Sequence, residues 1–80
     1  MAWGGPKAAI SRADLARECL EELHMWPGCE SVVSVAVLSA ASDRFTLHVV
    51  EYGTAPKKLA DRALRCIERE KLRFYSLKAD

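Results

Sequence analysis

The chain has 80 residues, of which 50% are hydrophobic and 29% are charged, and its formal net charge is +1. This length provides one small hydrophobic core and excludes a second domain. The near-zero charge excludes a global electrostatic field that would attract nucleic acid or an anionic membrane, so charge-driven binding would need a local cluster.

No stretch of the sequence has the features of a membrane or export segment. The longest nearly apolar run, residues 32–38, is too short to span a bilayer, and the N-terminus lacks the basic and apolar regions of a signal peptide. The three cysteines include no C-x-x-C pair, which argues against a secreted disulfide scaffold. We therefore expect a cytoplasmic protein with no membrane partner.

The first half of the chain predicts a flexible tail, a helix and a strand. Residues 1–9 contain two glycines and a proline and predict a flexible N-terminal tail, which leaves 10–80 as a single small α+β domain. Ser11 is a good helix N-cap, and apolar residues at helical spacing continue from it until Pro27 ends the helix. Residues 31–39 are rich in valine and apolar on both sides, as in a central strand.

The second half predicts a strand, a helix and a short final strand. Residues 44–52 alternate between apolar and polar side chains and should form an antiparallel hairpin with 31–39. Residues 56–71 predict an amphipathic helix with proline in its first turn. Residues 72–77 suit an edge strand, although an extension of the helix is the alternative.

The order α-β-β-α-β predicts a two-layer sandwich in which two helices cover one face of a small, three-stranded, mainly antiparallel sheet. A right-handed crossover through the second helix would place residues 72–77 antiparallel to the first strand. The first strand would then lie in the centre of the sheet.

The second helix carries a basic stripe, which we define as Lys58, Arg62, Arg65 and Arg69. At about 100° per residue these four side chains fall within about 60° of the helix circumference. The stripe is interpreted either as an ordinary solvated helix face or as a binding surface for an anionic partner. Because the whole chain is only +1 and has no G-x-x-G loop for a nucleic-acid backbone, sequence-specific nucleic-acid binding is not expected.

The outward side of the predicted sheet is the second candidate surface. His48, Val50 and Tyr52 alternate with the core-facing residues of their strand and form a hypothetical partner-binding set. An open apolar sheet face in a domain this small favours association, and a two-fold dimer is the default form. The alternative is a half-solvated sheet face with scattered hydrophobic residues.

The sequence contains no catalytic motif and no metal-ligand spacing. Cys19 and Cys66 fall on the predicted apolar sides of their helices, so we expect both to pack in the core. Cys29 follows a Pro-Gly turn, and an exposed, reactive thiol there is a hypothesis. We predict no cofactor, no metal and no enzymatic activity. The resulting hypothesis is a protein-interaction or self-associating module, with weak nucleic-acid binding by the basic stripe as the alternative.

Overall fold

The computed structural model describes residues 7–41 and 44–78 and has the α+β class that the sequence predicts. Two helices and four strands follow one another along the chain. They are β1 (Ala8–Ile10), α1 (Arg12–His24), β2 (Ser34–Ser39), β3 (Phe45–Glu51), α2 (Lys57–Phe74) and β4 (Tyr75–Leu77).

The described strands form two separate two-stranded sheets. β2 and β3 make the antiparallel hairpin that the sequence predicts, whereas β4 pairs in parallel with β1. The predicted three-stranded sheet is therefore not confirmed. The physical reason is that α2 continues beyond Lys71 to Phe74. Leu72 is half-buried against the core, and this packing stabilises the additional helical turn. Only three residues remain for β4, and they pair with a segment just as short.

Strand β1 includes part of the predicted N-terminal tail. Residues 1–6 of that tail lie outside the described residues, but Ala8 and Ala9 pair with Tyr75 and Ser76, and Ile10 is buried. Three residues are too few to show a strand alternation in the sequence. The two strands are far apart in sequence, so only the folded chain brings β1 and β4 together.

Helix α1 begins where the sequence predicts. The Ser11 side chain accepts a hydrogen bond of 3.1 Å from the Asp14 amide, which satisfies one of the free N–H groups at the helix start. Leu15, Cys19 and Leu23 follow at intervals of four residues and are completely buried. This column attaches α1 to the core through a single face.

The two helices lie against the same side of the hairpin, with α1 on β2 and α2 on β3. The core between helices and hairpin contains the buried side chains of Leu15, Leu23, Leu47, Leu64 and Ile67. Three half-buried side chains pack against this cluster; they are Leu20, Val35 and Val49.

A β-bulge near the end of β3 reverses which face of the hairpin the following side chains occupy. Val35 is opposite Val49, but Ser34 is opposite Glu51, so Val50 is an extra residue in the ladder. An inserted residue reverses the alternation of the side chains that follow it. As a result Tyr52 lies on the core side of the hairpin, where it is half-buried.

The turn between β3 and α2 requires glycine at position 53. Gly53 has a φ of 62°, and a Cβ atom there would lie 2.1 Å from the carbonyl oxygen of Ser31. The Ser31 hydroxyl also binds Thr54, accepting from its backbone N–H at 3.1 Å. This close approach holds the start of α2 beside the segment that leads into β2.

Candidate functional site

The outer face of the hairpin, which we define as Ala36, Leu38, Thr46, His48 and Val50, is not covered by either helix. Two of its apolar side chains are more than half exposed, Leu38 at 51% and Val50 at 58%. His48 is also exposed, and its Nε2 atom lies 3.1 Å from the Thr46 hydroxyl. The structure thus places two of the three predicted partner-binding residues on one open face.

The third member of that set, Tyr52, lies instead in a cleft between β3 and α2. The cleft has a volume of about 370 Å³. Both Tyr52 and His48 line it, together with Arg65 of the basic stripe. Two sets of residues that the sequence treats separately therefore meet at one place. The remaining lining residues are Thr46, Leu47, Val49, Asp61, Leu64 and Glu68.

Hydrogen bonds organise the polar groups of this cleft. The Tyr52 hydroxyl donates to Asp61 at 2.6 Å, and the Lys57 ammonium lies 5.7 Å from the centre of the Tyr52 ring. The hydrogen bond to Asp61 raises the pKa of the Tyr52 hydroxyl, and burial and the carboxylate charge act in the same direction. A Glu68 carboxylate oxygen accepts a hydrogen bond of 2.9 Å from the Leu47 amide. Both acidic side chains of the cleft therefore accept a hydrogen bond within the protein.

The basic stripe is exposed along its whole length, and none of its four side chains forms an ion pair with another described residue. Arg73 lies about one helical turn beyond Arg69 and extends the stripe by that turn. A shallow depression of about 320 Å³ lies between Asp61 and Arg69 on this side of α2. The missed residue, Arg73, became visible only when the helix proved longer than predicted.

Of the two cysteines predicted to pack in the core, one is buried and the other is not, and the hypothesis of an exposed Cys29 does not fit the structure. Cys66 is exposed, because it lies beside Arg62 and Arg69 at helical spacings of four and three residues, outside the apolar face of α2. Cys29 is completely buried, and burial raises the pKa of its thiol, which disfavours the reactive thiolate. Cys19 is buried as predicted.

A charged cluster that the sequence did not predict joins the two helices. Lys71 is only 8% exposed and forms ion pairs with Glu22 and Glu18 of α1, the latter at 3.3 Å. The Tyr75 hydroxyl donates to the same Glu18 carboxylate at 3.2 Å, and the Lys71 ammonium lies 5.6 Å from the Tyr75 ring centre. Acidic α1 and basic α2 therefore meet through one buried lysine.

Burial and the neighbouring negative charges have opposite effects on the pKa of Lys71 in this cluster. Burial by itself lowers the pKa of the Lys71 ammonium, but its hydrogen bonds to Glu22 and Glu18 and their negative charges outweigh burial and raise the pKa overall. The negative charge of Glu18 raises the pKa of the Tyr75 hydroxyl. In neighbouring Cys19, burial raises the thiol pKa to about 12 although the Lys71 charge opposes it. All three groups stay protonated at neutral pH. Lys71 therefore keeps its positive charge, and its ion pairs with Glu18 and Glu22 hold α1 against α2.

The described residues contain no group of three or more histidine, cysteine, aspartate or glutamate side chains arranged to hold a metal ion. Nor does either described helix have the length and apolar character needed to cross a membrane. Comparison of the chain with protein-family models, with curated proteins and with solved structures found no match in any of the three.

Proposed function

We propose that this protein is a small, non-catalytic, cytoplasmic association module whose contact surface is the β2–β3 hairpin. The observation that carries the proposal is the uncovered outer face, on which Leu38 and Val50 are both more than half exposed. Contact surfaces between proteins are rich in such apolar groups at their centre and in polar groups at their rim. Here Thr46 and His48 provide polar groups next to the apolar ones.

The size of the domain supports association as well. A two-stranded hairpin is marginally stable by itself, and a chain of 80 residues buries a limited core. Covering Leu38 in a contact would remove apolar area from water, which stabilises by about 1.5 to 3 kcal/mol for a fully buried leucine side chain. A partner in the polar cleft would gain less free energy from binding, since the acidic side chains Asp61 and Glu68 already accept hydrogen bonds within the protein.

Sedimentation analysis of the purified protein tests this proposal. We expect a monomer–dimer equilibrium, and we expect Leu38→Glu to raise the dimer dissociation constant by about tenfold or more, equivalent to about 1.4 kcal/mol. Met25→Glu is the matched control, because Met25 is 83% exposed at the end of α1 and is not part of the hairpin. A protein that remains monomeric from micromolar to millimolar concentration would contradict self-association.

The second candidate function is weak anion binding by the basic stripe. It is favoured by one observation, namely that the four exposed side chains form no ion pair with other described residues. Four phosphate contacts would produce non-specific affinity and a slope of about −3 to −4 in log K against log salt concentration. The acidic residues Asp61 and Glu70 beside the stripe reduce the local field, so we place this function second.

A titration with a single-stranded oligonucleotide at two salt concentrations tests this candidate. We expect binding to be weak and salt-sensitive in the unaltered protein and to be lost in Arg62→Gln/Arg65→Gln, without loss of the fold because both side chains are exposed. Arg17→Gln on α1 is the control for the loss of a positive charge elsewhere. Equal binding by the double variant would rule out the stripe as the contact.

A further inference from the structure

Two acidic side chains of α2 that are spaced to neutralise the basic stripe are engaged elsewhere. Asp61 lies four residues before Arg65 and Glu68 three residues after it, and a helix commonly forms surface ion pairs at these spacings. In the structure, however, the Tyr52 hydroxyl donates to Asp61 at 2.6 Å. The Leu47 amide donates to Glu68 at 2.9 Å. Both carboxylates are therefore held by groups in or next to β3, and Arg65 forms no ion pair with another described residue.

The stripe also repels itself. Arg62 and Arg69 have no acidic residue three or four positions away in either direction, because those positions hold only basic residues, leucine or cysteine. From Lys58 to Arg73 the basic residues follow one another at intervals of four, three, four and four positions. Like charges four positions apart destabilise a helix. An anion bound along the stripe would remove this repulsion.

The five cations form a straight, exposed line. All of them are exposed, on the opposite side of α2 from the buried residues Ala60 and Ile67. At 1.5 Å per residue, the line from Lys58 to Arg73 is about 22 Å long. Intervals of three and four residues keep side chains on one side of a helix, so a second helix lying alongside α2 would present its own side chains at matching heights. Carboxylates at the same intervals would complement the charge of every cation in the line.

Helix α1 of a second copy is not a suitable acidic partner. Three of its four acidic side chains already form ion pairs within their own chain. Glu18 and Glu22 are paired with Lys71. Asp14 is paired with Arg17 at 3.3 Å. Since docking on α1 would compete with these ion pairs, the structure favours an acidic helix from a different protein.

The surroundings of the stripe also favour carboxylates over a single-stranded nucleic acid. Proteins that bind single strands combine positive charge with aromatic side chains on which the bases stack. Here Tyr52 lines the cleft beside β3, and Phe74 lies about 140° around α2 from Arg69. The stripe therefore provides positive charge without an aromatic stacking surface.

We propose that the basic stripe, together with Arg73, binds an acidic helix of another protein whose carboxylates repeat at intervals of three and four residues. Four of the five cations are arginines, and the planar guanidinium group binds a carboxylate through two parallel hydrogen bonds. This inference rests on the second candidate function and specifies the class of anion that the stripe recognises.

Titration of the full chain with three synthetic probes tests the inference. The first is a helical peptide with glutamates at intervals of four, three, four and four residues, the second has the same composition in scrambled order, and the third is a single-stranded oligonucleotide of equal charge. We expect the patterned peptide to bind about tenfold or more tightly than either of the others.

A double variant shows whether the stripe is the contact. Arg62→Gln/Arg69→Gln should lose binding of the patterned peptide, whereas Arg17→Gln on α1 should retain it. The melting temperature of the double variant should not fall, because the substitutions remove like-charge neighbours from α2. A loss of binding is then distinguished from a loss of the fold.

The outcomes separate this inference from the function on which it rests. Preferred binding of the patterned peptide, lost in the double variant, supports both. An oligonucleotide that binds as tightly as the patterned peptide overturns the acidic-helix partner and leaves general anion binding by the stripe. Equal binding of the scrambled peptide overturns it too, because the spacing would then be irrelevant. If none of the probes binds even at low salt, both proposals are overturned and the stripe is a solvated helix face.

Discussion

Replacing Leu64 by alanine should lower the free energy of unfolding by about 2 to 5 kcal/mol, because the substitution leaves a cavity in the core. Leu64 is only 2% exposed and lies on the face of α2 that packs against the hairpin. Small domains have a total stability of about 5 to 15 kcal/mol, so much of the Leu64→Ala protein could be unfolded at room temperature. Urea denaturation followed by circular dichroism measures the change.

The matched control for this variant lies on the same helix. Leu59 is 36% exposed, and Leu59→Ala removes the same atoms from a site that is already partly in water. We expect this variant to lose clearly less stability than Leu64→Ala, with an unchanged denaturant slope. If Leu64→Ala melts at the same temperature as the unaltered protein, the orientation of α2 is wrong, and the position of the basic stripe with it.

Stability should fall steeply as the pH rises above 9, and Cys19 should account for much of the loss. The pKa of its thiol is about 12 in the folded protein, against 9.0 as its ordinary value. Between these two values the unfolded chain releases a proton that the folded chain retains, so unfolding becomes more favourable with increasing pH. The expected loss is about 1.4 kcal/mol per pH unit from this single group.

The other shifted groups act in the same direction. The pKa of Lys71 is raised above 10.5, so its ion pairs stabilise the fold fully below that pH and are lost as the pH rises further. The raised pKa of Cys29 adds a second thiol contribution that starts near pH 9. Alkaline unfolding should therefore begin with the thiols and continue with the lysine.

Denaturant melts at several pH values from 7 to 10.5 test the cysteine contribution. We expect the slope of unfolding free energy against pH to be shallower in Cys19→Ala than in the unaltered protein, whatever the absolute stability of the variant. Cys66→Ala is the control, because Cys66 is exposed. Identical slopes in Cys19→Ala and the unaltered protein would contradict the buried position of the Cys19 thiol.

Local features of the chain were predictable where one residue type has one strong physical preference. Ser11 caps α1 because its hydroxyl satisfies a free helix N–H group, and this depends on four consecutive residues only. The β2–β3 hairpin follows from two runs of strand-forming residues close together in sequence. The exposure of the basic stripe follows from helical periodicity, because burying four unpaired positive charges would cost far more than it could return.

The features that were missed depend on small differences that the sequence pattern does not resolve. A single inserted residue at Val50 moves Tyr52 from the outer face into the cleft beside α2. A rotation of about 100° between neighbouring helix positions separates buried Ile67 from exposed Cys66. The candidate site therefore could not be assembled from alternation and periodicity alone.

The sequence by itself determined the α+β class, the hairpin and the two amphipathic helices, since these depend on interactions between residues near one another along the chain. Only the tertiary structure decided that β4 pairs with β1 and that Lys71 joins the helices. Each of these depends on contacts between distant segments. The free energy that selects among such contacts comes from packing the whole core. It therefore cannot be predicted from the sequence of any single segment.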